Sequence, residues 1–266
     1  FRLNRAHSRW WEGGRYFSQL LTGCRSLTLT AQVAVEDKAA AAHIGMLAYT
    51  YARLVEFHLR RAEDESYILA CQHLLTPLQL QDMMQAPQKP LWLAQHISLQ
   101  VSRAHHAGLV KSEQIFISFR DIIFDLVSAS QSMMRIQSLA EPWTYQQHLS
   151  LTIRMWLMLL PLALLPSLEW ATPLLSTGIA YVVYKMDDVA VELTNPFGLD
   201  KSDLGICLMN DRLQIETLAM TRTYLREGLA EVHVGGWECP DTVSAEPAPE
   251  DLNEAYLGQQ GGLPAK

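Results

Sequence analysis

Two apolar blocks dominate the hydropathy pattern, Leu149–Leu165 and Trp170–Tyr184, separated only by Pro166-Ser167-Leu168-Glu169. Arg154 is the one formal charge inside them. Each block is a little shorter than the ~20 residues that a helix needs to cross a bilayer core. Tyr145 and Trp156 suit an interface, and an arginine at this depth snorkels or faces a protein interior. The pattern predicts a helical hairpin in lipid over about 146–186, and a pair of buried helices in a soluble protein is the competing reading.

Elsewhere apolar positions recur at helical spacing. Trp10, Trp11, Tyr16-Phe17, Leu20-Leu21 and Cys24 form one such series, with Gly13-Gly14 as its weak point. A second runs from Lys38 to Arg61 and places Ile44, Leu47-Ala48, Tyr51, Leu54-Val55 and His58 on one face, bordered by Arg53, Glu56, Arg60 and Arg61. Shorter helices are expected at Glu65–Leu75 and after Thr76-Pro77, since proline suits a first helical turn. Pro87 and Pro90 bracket a break. Leu91–Leu109 and Ser112–Ser138 read as amphipathic helices, with Gly108 near the end of the first and Ser112 as a cap for the second. After the hairpin, Asn195-Pro196-Phe197-Gly198 leads to Ser202/Asp203 and a helix from Leu204 to about Ala230. No convincing strand pattern exceeds four residues, so the expected class is all-α. From Gly235 onward prolines, acidic residues and a Gly-Gln-Gln-Gly-Gly stretch predict a disordered tail over 235–266, leaving 1–234 as one domain.

Composition narrows the function. A mean hydropathy of +0.02 with 18% charged residues is too polar for a wholly membrane-buried chain. It suits a membrane part joined to a sizeable aqueous body. The net charge of −7 argues against nucleic acid as a partner. Cys24, Cys71, Cys207 and Cys239 lie far apart without metal spacing, and they read as free thiols, mostly in the core. Phe1-Arg2-Leu3-Asn4 reads as the middle of an element, so further chain is expected upstream of it.

Candidate chemistry is sparse. His96, His105 and His106 lack the spacing of a metal site. Asp187-Asp188 with Glu192 reads as a solvated helix end, with general acids or cation ligands as the competing reading. Asp200 and Asp203 are candidates either to cap backbone N–H groups or to hold a cation, the two carboxylates being too few to fix calcium by themselves. No nucleophile elbow, zinc-protease, phosphate-loop or dinucleotide fingerprint is present, so no enzyme is expected.

Several segments, in order and at sensible spacing over roughly 1–230, resemble the bestrophin family of anion channels, including its bacterial and plastid members. Phe1-Arg-Leu-Asn-Arg-Ala-His-Ser-Arg-Trp-Trp-Glu-Gly is similar to "FRxNxAxxRWWEGR". Arg135-Ile136 followed by Glu141-Pro142-Trp143-Thr144-Tyr145 resembles "ERIxxTPxPFxY". His148-Leu-Ser through Leu157, with Leu159-Leu160-Pro161, resembles the photosynthetic members' "HxSRxLxLWxxLLP". Asn195-Pro-Phe-Gly-Leu-Asp200 matches "EPFGxD" in all but its first letter. The resemblance implies a homopentamer around one axial pore, each subunit contributing four membrane helices and a helical cytosolic or stromal body. Of those helices only the later pair is complete here.

The resemblance also assigns residues. Phe1 falls on the last aromatic ring of the family's apolar neck, Glu141 on its second constriction, and Arg9, Trp10, Trp11 and Glu12 pack the body of the pore helix. Glu141 is a departure, an aliphatic or small residue being usual at that place, and Met134 stands where the family has a glutamate. A ring of carboxylates repels anions and, through mutual repulsion, becomes proton-sensitive; the competing reading turns Glu141 off-axis into a hydrogen bond or salt bridge. Asp200-Lys-Ser-Asp203 is less acidic than the calcium clasp of animal members, so calcium activation is not expected, and no cofactor is implied. The expected function is a passive channel for chloride- or bicarbonate-type anions in contact with membrane lipid. Its expected setting is a thylakoid membrane, with a bacterial inner membrane as the alternative. A non-conducting adaptor with the same fold is the other functional reading.

Overall fold

The computed structural model describes residues 2–110, 112–139, 143–200 and 202–225. Phe1, Glu141 and the tail lie outside them. Every regular element among the described residues is helical: α1 Arg2–Ala34, α2 Lys38–Arg60, α3 Asp64–Cys71, α4 Pro77–Gln85, α5 Lys89–His106, α6 Glu113–Ser138, α7 Trp143–Leu168, α8 Thr172–Glu192 and α9 Ile206–Leu225.

Helix α1 is the spine. At the usual rise its 33 residues span about 50 Å, and it touches α2, α6, α8 and α9. Its buried stripe, Phe17, Leu20, Leu21, Cys24, Leu27 and Ala31, supplies one wall of the core. α2 supplies the centre. Between Ala41 and Phe57 nearly every residue is buried, as expected of a helix surrounded by partners. Asp37 caps it by accepting from the Ala39 N–H at 3.0 Å, and Arg61, in left-handed conformation (φ 53°), closes it.

The local signals largely hold. Thr76 forms a capping box with Gln79 and Pro77 opens α4. Residues 86–88 form the break between α4 and α5, with Pro90 in the first turn of α5 rather than in the break itself. Other expectations need correction. Gly13-Gly14 does not interrupt α1. Ser112 sits at the N-cap of α6 but its side chain makes no capping bond. Arg53 and Glu56 do not border a solvent face; both are buried. Among the thiols, Cys24 and Cys71 are free and buried, and burial pushes the Cys24 thiol up to about 12. Cys207 departs from the expectation, its sulfur being disulfide-bonded.

Candidate pore helix and membrane surface

The hairpin forms, with its reversal slightly later than the prolines suggest. α7 continues through Pro161 and Pro166 to Leu168. The chain turns in a short 3-10 segment, Glu169–Ala171, where Glu169 adopts a positive φ of 42°. Proline is tolerated inside membrane helices because neighbouring groups re-satisfy the freed carbonyls. The stretch Gln147–Glu192 is long and apolar enough to cross a membrane: its most apolar window has a mean hydropathy of 1.7, and only 6% of that window is buried. Met158, Leu162 and Leu174 stand 79%, 68% and 83% exposed, and Trp170 at the tip 95%. A soluble core helix would bury these side chains. Solvent-facing patches of this size mark an interaction with membrane or protein.

The first turns of α1 hold the hairpin to the body. Arg2 donates to Asp187 of α8 at 2.6 Å. Arg5 lies over the Tyr145 ring of α7, 5.4 Å from its centroid. Arg9 donates to the Ile136 carbonyl at 2.6 Å and to the Leu139 carbonyl at 2.9 Å, satisfying the C-terminal end of α6. Start of α7 and end of α8 therefore meet the same end of α1, which makes the hairpin antiparallel.

Of the four residues assigned to pore-helix packing, two face the body. Arg9 caps α6, and Trp10 stacks near His7 while its indole N–H donates to the Ser202 carbonyl at 3.0 Å. Trp11 and Glu12 are exposed. Phe1 and Glu141 fall outside the described residues.

The Asn195–Asp203 loop shows why α1 needs small residues. Phe197 is fully buried, and a Cβ on Gly13 would lie 3.1 Å from its ring and 3.2 Å from Pro196. Asp203 accepts from the Asp200 N–H at 2.8 Å, and the Asp203 N–H donates back to the Asp200 carbonyl at 3.0 Å. Burial pushes the Asp203 carboxyl above its ordinary range. The pair thus closes its own turn before α9. No group of three metal-ligating side chains occurs among the described residues. Two of the three candidate histidines are tied into packing: His96 stacks on Trp92 with centroids 5.3 Å apart, and His105 stacks on Phe116 at 4.5 Å and meets Glu113 at 3.2 Å.

A buried polar network, not anticipated from the pattern, joins α2 to α9. Arg53 donates to Glu56 at 3.1 Å, to Asp211 at 2.5 Å and to the Tyr49 hydroxyl at 3.2 Å. Glu56 also accepts from Asn210 at 2.6 Å and from Arg60 at 3.2 Å. Burial pushes the Glu56 carboxyl upward, opposed by the arginines and the Asn210 amide. The spacing Arg53, Glu56, Arg60 was a legible signal for ion pairing along one helix face; its burial was not.

Comparison with known proteins places this architecture. A protein from Escherichia coli strain K12 named voltage-dependent anion channel-forming protein YneE is 28% identical over 222 residues, covering 83% of this chain and 71% of that protein. A Synechocystis protein, voltage-dependent anion channel-forming protein sll1024, is 28% identical over 211 residues, covering 77% of this chain and 67% of its own length. The fold is similar to that of a bacterial bestrophin homologue from Klebsiella pneumoniae in a point-variant form. The TM-score is 0.77 at 21% identity, over 84% of this chain and 82% of that one. The profile of the family described as Bacterial/Fungal Bestrophin protein matches residues 1–219. With that match across most of its length, the chain belongs to the bacterial and fungal bestrophin family.

Proposed function

We propose that this chain is a subunit of a passive anion channel, not an enzyme, and that it works as a homopentamer around a central pore. The observation that carries the reading is the outward-facing apolar surface of the α7–α8 hairpin on a body that belongs to this family. Relatives named as anion channel-forming proteins support it. The pore helix is α1, and Phe1 contributes the last ring of an apolar neck. Such rings gate by shedding water. The positive edge of an aromatic ring favours a weakly hydrated anion over a small cation. Chloride and bicarbonate are the proposed passengers. The relatives named above are bacterial, which favours a bacterial membrane over a chloroplast membrane.

Glu141 is proposed as the second pore-facing position. On either side of it in the chain, Arg9 donates to the Leu139 carbonyl and Arg5 lies over the Tyr145 ring. Reconstitution into liposomes with a chloride or bicarbonate gradient tests the whole reading: flux above that of protein-free vesicles is expected. Silence from intact pentamers would instead favour the adaptor. Glu141→Ile is expected to raise anion flux and flatten its pH dependence; unchanged conductance and pH response would remove Glu141 from the pore.

A further inference from the structure

One cleft between α1 and the hairpin has a lining that neither packing nor conduction explains. It holds about 420 Å³ and is walled by Arg2, Thr144, Gln147, His148, Ser150, Leu151 and Arg154. That is room for about a dozen water molecules at their liquid volume. Thr144, His148, Leu151 and Arg154 follow one another three or four residues apart and so form one stripe of α7, with Gln147 beside it. Arg154 makes no ion pair or hydrogen bond with another side chain among the described residues, nor do the side chains of Gln147, His148 and Ser150. Long helical side chains lean toward the N-terminus of their helix, which carries the Arg154 guanidinium back over Ser150 and His148.

The facing wall is Arg2. Its side chain is 13% exposed, one nitrogen is bound to Asp187, and its Nε is buried without a partner. The Asp187 carboxylate offsets one charge, leaving Arg154 as the uncompensated cation of the cleft. Below Arg154 the same stripe turns apolar through Met158, Leu162 and Leu165, all exposed. Cationic fork above, oily track below: that sequence of surfaces matches a lipid with an anionic head.

We propose that this cleft binds the phosphate of an anionic phospholipid, held between Arg154 and the free edge of Arg2 with His148 and Ser150 as further donors, its acyl chain lying along Met158 and Leu162. Guanidinium groups recognise phosphate through paired N–H donors, and such charge-assisted bonds are the strong ones. The site rests on the hairpin lying in a bilayer but not on ion flux.

Native mass spectrometry of the full chain, released from detergent with phosphatidylglycerol or phosphatidylcholine, tests it. Phosphatidylglycerol is expected to be retained about tenfold more tightly, the value of one charge-assisted contact. Arg154→Gln should abolish that preference and Arg154→Lys should keep part of it. Arg15→Gln, on an exposed turn of α1 away from the cleft, should leave it intact. Equal retention of the two lipids, or an equal loss in Arg154→Gln and Arg15→Gln, would overturn the site. Displacement of the lipid by a large excess of inorganic phosphate would reassign it to a free anion, and no displacement upholds the lipid. A chain that retains phosphatidylglycerol yet passes no chloride keeps this site and loses the channel reading; a conducting chain without the preference loses only the site.

Discussion

Two adjacent glycines in the long first helix behave differently because their surroundings differ. A side chain at Gly13 meets the Phe197 ring and Pro196 at 3.1 and 3.2 Å, inside a filled core. At Gly14 the nearest atom is a Leu204 methyl at 3.4 Å, an ordinary contact. Gly13→Val is therefore expected to destabilise the protein by about 1–3 kcal/mol through overpacking. Gly14→Ala should be neutral or stabilising by about 0.5–1 kcal/mol, since it removes the entropic cost of glycine in a helix. Melting of the two variants in detergent checks the pair, and equal shifts would contradict this packing of the loop on α1. In the sequence both positions look like helix breakers. Which one receives an aromatic ring depends on a residue about 180 positions away, beyond any local pattern.

Among the elements, the α7–α8 hairpin was the most legible, because a long apolar run without charge has few ways to satisfy itself. Its reversal was misplaced by a few residues. Proline suggested a turn at Pro166, whereas the helix keeps its course and Glu169 takes the positive φ. The environment of the hairpin makes a sharp prediction. Leu162→Arg introduces a charge at a position 68% exposed on the outer face. In water this would cost nothing; in a bilayer core it costs roughly 2.5–3.5 kcal/mol by insertion scales, and more by other measures. The variant should therefore show reduced membrane insertion in a fractionation assay. Insertion equal to that of the parent chain would place this face outside lipid.

For the molecule as a whole, the helical body shares one continuous core running from α1 through α2 to α5, α6 and α9, so a single buried titration is read in global unfolding. His96 is buried against Trp92, and burial first, then the nearby His43 and Arg103, hold its pKa below the ordinary value. The folded state thus keeps His96 neutral where the unfolded chain already binds a proton, and stability from this group falls as the pH drops through the ordinary histidine range. Replacing it with His96→Gln should flatten the dependence of the melting temperature between about pH 7 and pH 5. An unchanged slope would mean that His96 titrates freely.

The helical class, the hairpin, the capped start of α4 and the family resemblance were all readable in one dimension, because each rests on spacing within a few turns of chain or on a contiguous run. Burial of Arg53 and Glu56, the seating of Phe197 on Gly13, the capping of α6 by Arg9 and the pairing of Arg2 with Asp187 were not. Each joins segments far apart in the chain, and such pairings exist only once helices have crossed and water has left between them. Periodicity reveals which face of a helix is oily; only the packed fold decides what that face, or the charges beside it, will touch.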